Sequence, residues 1–130
     1  MQNAAFAAKG LNYTYIAFRV PKEELQESIE SLRGINIAGF NVTTPHKTEV
    51  IKYLDELEST AKKVSAVNTV NSIEGIFRGY NTDAYGFIEP LRKRHVDLGS
   101  MRVLLIGAGG AARAVVTALA EENGISGLII

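Results

Sequence analysis

No cysteine occurs in the 130 residues, which excludes disulfide frameworks, thiolate nucleophiles and zinc–thiolate sites. Histidine is almost as scarce: His46 and His95 are the whole supply, too few for a histidine-rich metal site. An excess of one charge is missing too. Fourteen basic and fourteen acidic residues cancel, so nothing in the charge balance points to nucleic acid or an anionic membrane as partner. No apolar run approaches the length of a membrane span, and the first residues lack the basic-then-apolar order of a signal peptide. Internal repeats and low-complexity tracts are absent as well. What is present is 46% hydrophobic residues in a domain-sized chain, enough for a buried core. The expectation is a cytoplasmic, metal-free protein acting on a small molecule.

The most specific motif lies late in the chain. Val103-Leu-Leu-Ile-Gly-Ala-Gly-Gly-Ala-Ala-Arg-Ala-Val115 runs an apolar strand into a glycine turn, and the turn opens a helix of small residues. Gly107, Gly109 and Gly110 remove side chains where a backbone must approach a pyrophosphate, and the helix start offers unpaired N–H groups to the anion. The usual fingerprint places a third glycine where this chain has Ala112, which is still small enough for close helix–strand packing. A glycine-rich turn of any α/β protein is the competing reading. Leu128-Ile129-Ile130 reads as the second strand of the same βαβ unit. Since a mononucleotide-binding half needs three strands, and residues 1–10 read as a helix ending at Gly10 without a preceding strand, the chain is expected to be a piece of a larger enzyme.

Upstream, residues 12–20 are aromatic and β-branched and read as a strand; residues 22–32 form an amphipathic helix with Leu25, Ile29 and Leu32 on one face, ended by Gly34. A second strand covers 35–42. Helical spacing resumes from Thr48, with Val50, Ile51, Leu54 and Leu57 apolar, and a further helix covers 59–64. Residues 66–72 and 76–80 read as strands joined through a hairpin-like turn at Glu74-Gly75. A helix then covers 84–94, capped by Thr82 or Asp83, and a turn at 97–100 leads into the nucleotide strand. The fold class is α/β: an N-terminal domain with a mixed, largely parallel sheet over residues 1–82, a connecting helix and linker over 83–99, and the start of a Rossmann domain over 100–130.

Three short segments place polar and ionisable residues at strand ends, where α/β proteins hold their ligands. In Asn41-Val-Thr-Thr-Pro-His-Lys47, Asn41 and Thr43 alternate outward from an apolar strand and Pro45 stiffens the turn presenting Lys47. A cation at a helix start is electrostatically misplaced, although a solvated surface lysine is the commoner explanation from residue type alone. In Tyr80-Asn-Thr-Asp83, Asp83 could be an ordinary helix cap. Between them Asn68 interrupts an apolar strand, and a buried amide must find partners, which could be only the neighbouring loops. Together the segments supply hydrogen-bonding groups for several hydroxyls and a lysine–aspartate pair for proton transfer, the inventory needed by an oxidoreductase acting on a polyol.

Asn41-Val-Thr-Thr-Pro-His-Lys47, Ala66-Val-Asn-Thr-Val70, Gly79-Tyr-Asn-Thr-Asp83 and Gly107-Ala-Gly-Gly-Ala111 resemble, in order and approximate spacing, the four signature segments of the shikimate dehydrogenase family. Residues 1–6 and 10–13 are similar to that family's first helix and second strand, so the resemblance spans nearly the whole chain. It implies NADPH-dependent reduction of 3-dehydroshikimate to shikimate, with substrate in a cleft between an α/β domain and a Rossmann domain. It further implies that Lys47 and Asp83 are the catalytic pair and touch substrate, that Thr43 and Asn68 bind ring hydroxyls, and that Gly107, Ala108, Gly109, Gly110 and Ala111 hold the cofactor pyrophosphate. Lys47 either donates the proton itself or mainly positions substrate. The family's serine pair for the substrate carboxylate, its basic motif for the NADP 2′-phosphate, its later nicotinamide contacts and its C-terminal glutamine all belong outside these 130 residues. Negligible turnover by the chain alone is therefore expected.

A quinate/shikimate dehydrogenase using NAD or NADP shares the motifs, and a non-catalytic ligand-binding domain on the same scaffold is the alternative of another class. Retention of both Lys47 and Asp83 argues against the latter. A folate- or tRNA-linked reductase would leave the Asn41–Lys47 and Asn81–Asp83 segments unexplained. NAD use and a homodimer are left open by the sequence.

Overall fold

The computed structural model describes residues 1–122 and 125–129. The chain opens with α1 (Gln2–Ala8), closed by Gly10 at φ +65° with Gly10 N donating to Ala7 O and Leu11 N to Phe6 O, the glycine cap expected from sequence. α2 (Leu25–Gly34) follows a short 3-10 turn at Lys22–Glu24. Gly34 is its last residue, and the left-handed position beyond it belongs to Asn36, at φ 50°. Next come β1 (Gly39–Asn41), β2 (Glu56–Leu57), α3 (Ser59–Val64), β3 (Thr69–Ile73) and β4 (Ile76–Tyr80). α4 (Asp83–Lys93), β5 (Arg102–Leu104), α5 (Gly110–Glu121) and β6 (Gly127–Ile129) complete the order. Ile130, which the sequence places in the last strand, lies outside the described residues.

Two sheets result. The first has four strands in the order β1-β3-β4-β2, and the second pairs β5 with β6 in parallel, as a βαβ crossover through α5 requires. The first sheet is mixed, but its balance corrects the expectation of a largely parallel one. β1 pairs antiparallel with β3 and β3 antiparallel with β4, while only β2 with β4 is parallel. The hairpin accounts for one antiparallel pair: Glu74 and Gly75, both at positive φ, reverse the chain between Ile73 and Ile76, which stand opposite each other.

The other source of the difference is residues 12–20, which form no strand. Tyr13, Ile16 and Phe18 are exposed, and the Tyr15 backbone exchanges hydrogen bonds with the Asn3 side chain instead of with a neighbouring strand. β-branched and aromatic residues favour extended backbone, but a ladder also needs a paired neighbour, and residues 12–20 pair with no strand among the described residues. For the same reason the strand expected over 35–42 shortens to Gly39–Asn41, the length over which β3 faces it. The helix expected from Thr48 is a 3-10 helix over Glu49–Tyr53.

Apolar burial falls into two clusters. Leu25, Ile29, Val42, Val50, Val67, Val70 and Phe77 pack α2 and the 3-10 helix against the four-stranded sheet. Val64, Ala66, Ala84, Ile88, Ala114, Ala118 and Leu119 join α3, α4 and α5, so α4 packs on the helix that follows the glycine turn. Alanines at 114 and 118, one turn apart, let the helices approach closely. Among the described residues no helix is long and apolar enough to cross a membrane.

Candidate active site

Antiparallel pairing brings three chain segments to one end of the first sheet. β1 ends where β3 begins, with Asn41 opposite Thr69, and β4 ends beside the same point, with Tyr80 opposite Thr69. Asn68, just ahead of β3, is pinned from both sides: its N–H donates to Tyr80 O at 3.0 Å and its carbonyl accepts from Val42 N at 2.9 Å. Lys47 is tied to the same edge, since its carbonyl accepts from Val67 N at 2.7 Å.

These anchors bring the predicted side chains together. Lys47 Nζ donates to Asp83 Oδ2 at 2.7 Å, with the lysine side chain only 15% exposed. Asn68 Nδ2 donates to the other carboxylate oxygen, Asp83 Oδ1, at 2.7 Å and to Thr82 Oγ1 at 2.9 Å. Asn68 Oδ1 in turn accepts from Thr82 N and from Thr69 Oγ1. Asp83 thus has one oxygen against a cation and one against an amide, which orients the carboxylate and holds the ammonium at a defined place. The cation at a helix start finds its counter-charge on a distant element rather than in solvent. Thr43 stands exposed just past the end of β1, near the pair in sequence but without a side-chain hydrogen bond among the described residues.

Sequence reasoning placed the helix cap one or two residues late. Thr82 makes no side-chain cap bond; Asn81 Oδ1 accepts from both Asp83 N and Ala84 N, at 3.0 and 3.3 Å. Asn81 is buried, and its Nδ2 donates to Ala66 O at 3.0 Å. Because Asn81 caps the helix, the Asp83 carboxylate is free to face Lys47. The signal was available, since asparagine is among the preferred caps, but three candidates stood in a row. A further set was missed. Tyr15 Oη donates to Asn41 Oδ1, and Asn41 Nδ2 donates to Thr69 Oγ1, extending the polar network from Asn68 out to the 12–20 segment.

The glycine turn faces this group. Gly107, at φ +119°, Ala108 and Gly109 are exposed, and Gly109 precedes the 12-residue α5 without any capping side chain. At Gly107 and Gly109 no side chain among the described residues crowds the turn, since nothing stands within 4 Å of where a Cβ would lie. Between the turn and the lysine lies a cleft of about 250 Å³ with Thr44, Lys47, Thr48, Gly109, Gly110 and Arg113 on its walls. Open backbone N–H groups at the start of a long helix and the Arg113 cation suit an anionic ligand, so the residues fit a nucleotide pyrophosphate. Ala111 follows Gly110 on the exposed side of α5.

A family model described as the shikimate dehydrogenase substrate binding domain matches residues 1–70. The shikimate dehydrogenase (NADP(+)) of Nitrosopumilus maritimus is 53% identical over 123 residues, which cover 95% of this chain and 45% of that protein. Among solved structures, shikimate dehydrogenase 1 from Peptoclostridium difficile superposes with a TM-score of 0.91 at 31% identity, over 98% of this chain and 48% of that one. Shikimate 5-dehydrogenase from Thermus thermophilus, solved with NADP(H) and shikimate, superposes with a TM-score of 0.83 at 37% identity, covering 95% and 46%. The chain therefore spans less than half the length of these relatives. The family match, 53% identity over 95% of the chain and the common fold agree, and this chain belongs to the shikimate dehydrogenase family.

Proposed function

We propose that this chain supplies the substrate-binding half and the pyrophosphate-binding turn of an NADP-dependent shikimate dehydrogenase, interconverting 3-dehydroshikimate and shikimate in the cytoplasm. The observation that carries the reading is the 2.7 Å Lys47–Asp83 pair standing across a cleft from the open glycine turn. The Thermus relative, bound to NADP(H) and shikimate, supports the same ligands here. The division into 1–82, 83–99 and 100–130, the Rossmann identity of the last segment and a homodimer belong to the same proposal.

Reducing a ketone to an alcohol takes one hydride on carbon and one proton on oxygen. The nicotinamide, when bound, supplies the hydride. Lys47 supplies the proton: its ammonium donates to the ketone oxygen as negative charge develops there, and the same group accepts the proton back in the oxidative direction. Asp83 keeps that ammonium in place and, with Asn68, hydrogen-bonds a ring hydroxyl. Thr43, exposed with its hydroxyl uncommitted among the described residues, binds a second hydroxyl. Residues 107–111 receive the pyrophosphate on backbone N–H groups, with Arg113 adding positive charge.

Substituting Lys47→Ala in the intact protein carrying this sequence tests the assignment. Steady-state kinetics should show kcat lowered by about 10²–10⁴-fold with KM for shikimate changed little. Unchanged kcat with raised KM would make Lys47 a binding group and refute its role in proton transfer.

A further inference from the structure

The nucleotide turn and the catalytic lysine meet at Gly110, the first residue of α5. A Cβ placed there would lie 2.9 Å from Cβ and 3.3 Å from Cδ of Lys47, and 3.5 Å from Cβ of Ala66. At Gly107 and Gly109 the same construction meets nothing within 4 Å. Of the three turn glycines, only that at 110 is therefore demanded by a neighbour among the described residues. Its tightest contact is with the first carbon of the lysine stem, which the backbone fixes and which cannot swing aside as the far end of the side chain could.

The stem has little room elsewhere. The Lys47 carbonyl is held by Val67 N, the ammonium by Asp83, and Ala66 beside it is fully buried. A helix N-terminus is also poor ground for an ammonium, so apolar methylenes against α5 and charge directed away toward Asp83 is the arrangement electrostatics favours.

We infer that Gly110 is a positioning residue for Lys47: the bare start of α5 forms a wall along the lysine stem and directs its ammonium onto Asp83. The inference rests on the reading of Lys47 as proton donor. It assigns the glycine a purpose separate from the pyrophosphate, and it makes the place of α5 a determinant of the place of the acid.

A double-substitution cycle in the intact protein decides it, using Gly110→Ala, Lys47→Gly and both together. Glycine is required at 47 because alanine would keep the Cβ that Gly110 faces. Two readouts are taken: kcat and the NADP KM at saturating shikimate, and the thermal unfolding midpoint. With Lys47 present, Gly110→Ala should lower kcat by about tenfold or more while the NADP KM stays within about threefold, because small misplacements of a reacting group are felt in turnover. It should also lower the unfolding midpoint. With glycine at 47, the same substitution should leave the midpoint unchanged, since the shared contact has gone. A raised NADP KM with unchanged kcat, or an equal loss of midpoint in both backgrounds, would overturn the inference. Should the unsubstituted protein show no turnover, the proposed function falls, and the unfolding cycle alone decides whether Gly110 and Lys47 are coupled.

Discussion

At Lys47 the local and the distant surroundings disagree. A cation ahead of a helical turn meets the wrong end of the backbone dipoles, yet 36 residues later Asp83 offers an acceptor at 2.7 Å. The sequence could flag both residues as ionisable groups at strand ends, but their pairing follows from strand order, which no local spacing encodes. Asn81 shows the reverse: the chemistry was legible and the position was misjudged by one or two residues. It satisfies two helix N–H groups and Ala66 O from inside the core, so Asn81→Ala removes a cap and leaves a buried carbonyl unpaired. Denaturant titration of that variant should show a loss of about 2–3 kcal/mol. A loss below about 0.5 kcal/mol would mean that Thr82 or water replaces it without cost.

Elements with both local chemistry and a local partner were the readable ones. α3 and β4 have the expected bounds, and the Glu74-Gly75 turn lies where expected, because a hairpin carries its own pairing partner. Residues 12–20 had strand chemistry without a partner among the described residues, and the expectation failed there. Nor does any local pattern announce the staple that fixes α2 to the sheet. Arg33 lies 4.3 Å over the Phe77 ring and donates to Tyr53 O, Gly75 O and Asp55 Oδ2, while Asp55 Oδ2 accepts from Phe77 N. The hydrogen bond from Arg33, then that from Phe77 N, hold the Asp55 carboxyl below its ordinary 3.8. A carboxyl with a lowered folded-state pKa stabilises the fold above its unfolded value and loses that contribution as pH falls through the folded one. Asp55→Asn should therefore be less stable than the parent at neutral pH, with the gap closing as pH drops below about 4. The carboxyl is partly solvated, so the gap is modest. A gap independent of pH in paired unfolding curves would show that the Asp55 charge contributes nothing.

Across the whole molecule, the second apolar cluster joins what sequence separated. Ala66 just ahead of β3, Ala84 and Ile88 of α4 and Ala114 of α5 are buried in one cluster, so α4 packs with residues from before and after it in the chain. Alternating polarity and glycine spacing could not show this, because small residues on three helices reveal a shared core only once the helices are placed. The glycine turn is thereby held beside the Lys47–Asp83 pair by a packed core, and under the proposed function the cleft between them is where cofactor and substrate meet. Initial rates of NADP reduction by the intact protein with shikimate, set beside quinate and NAD, decide whether the Lys47–Asp83 pair carries the proposed chemistry. Turnover of shikimate with NADP is expected, whereas absence of turnover in every pairing would leave the lysine–aspartate pair without its reaction and refute the proposed function.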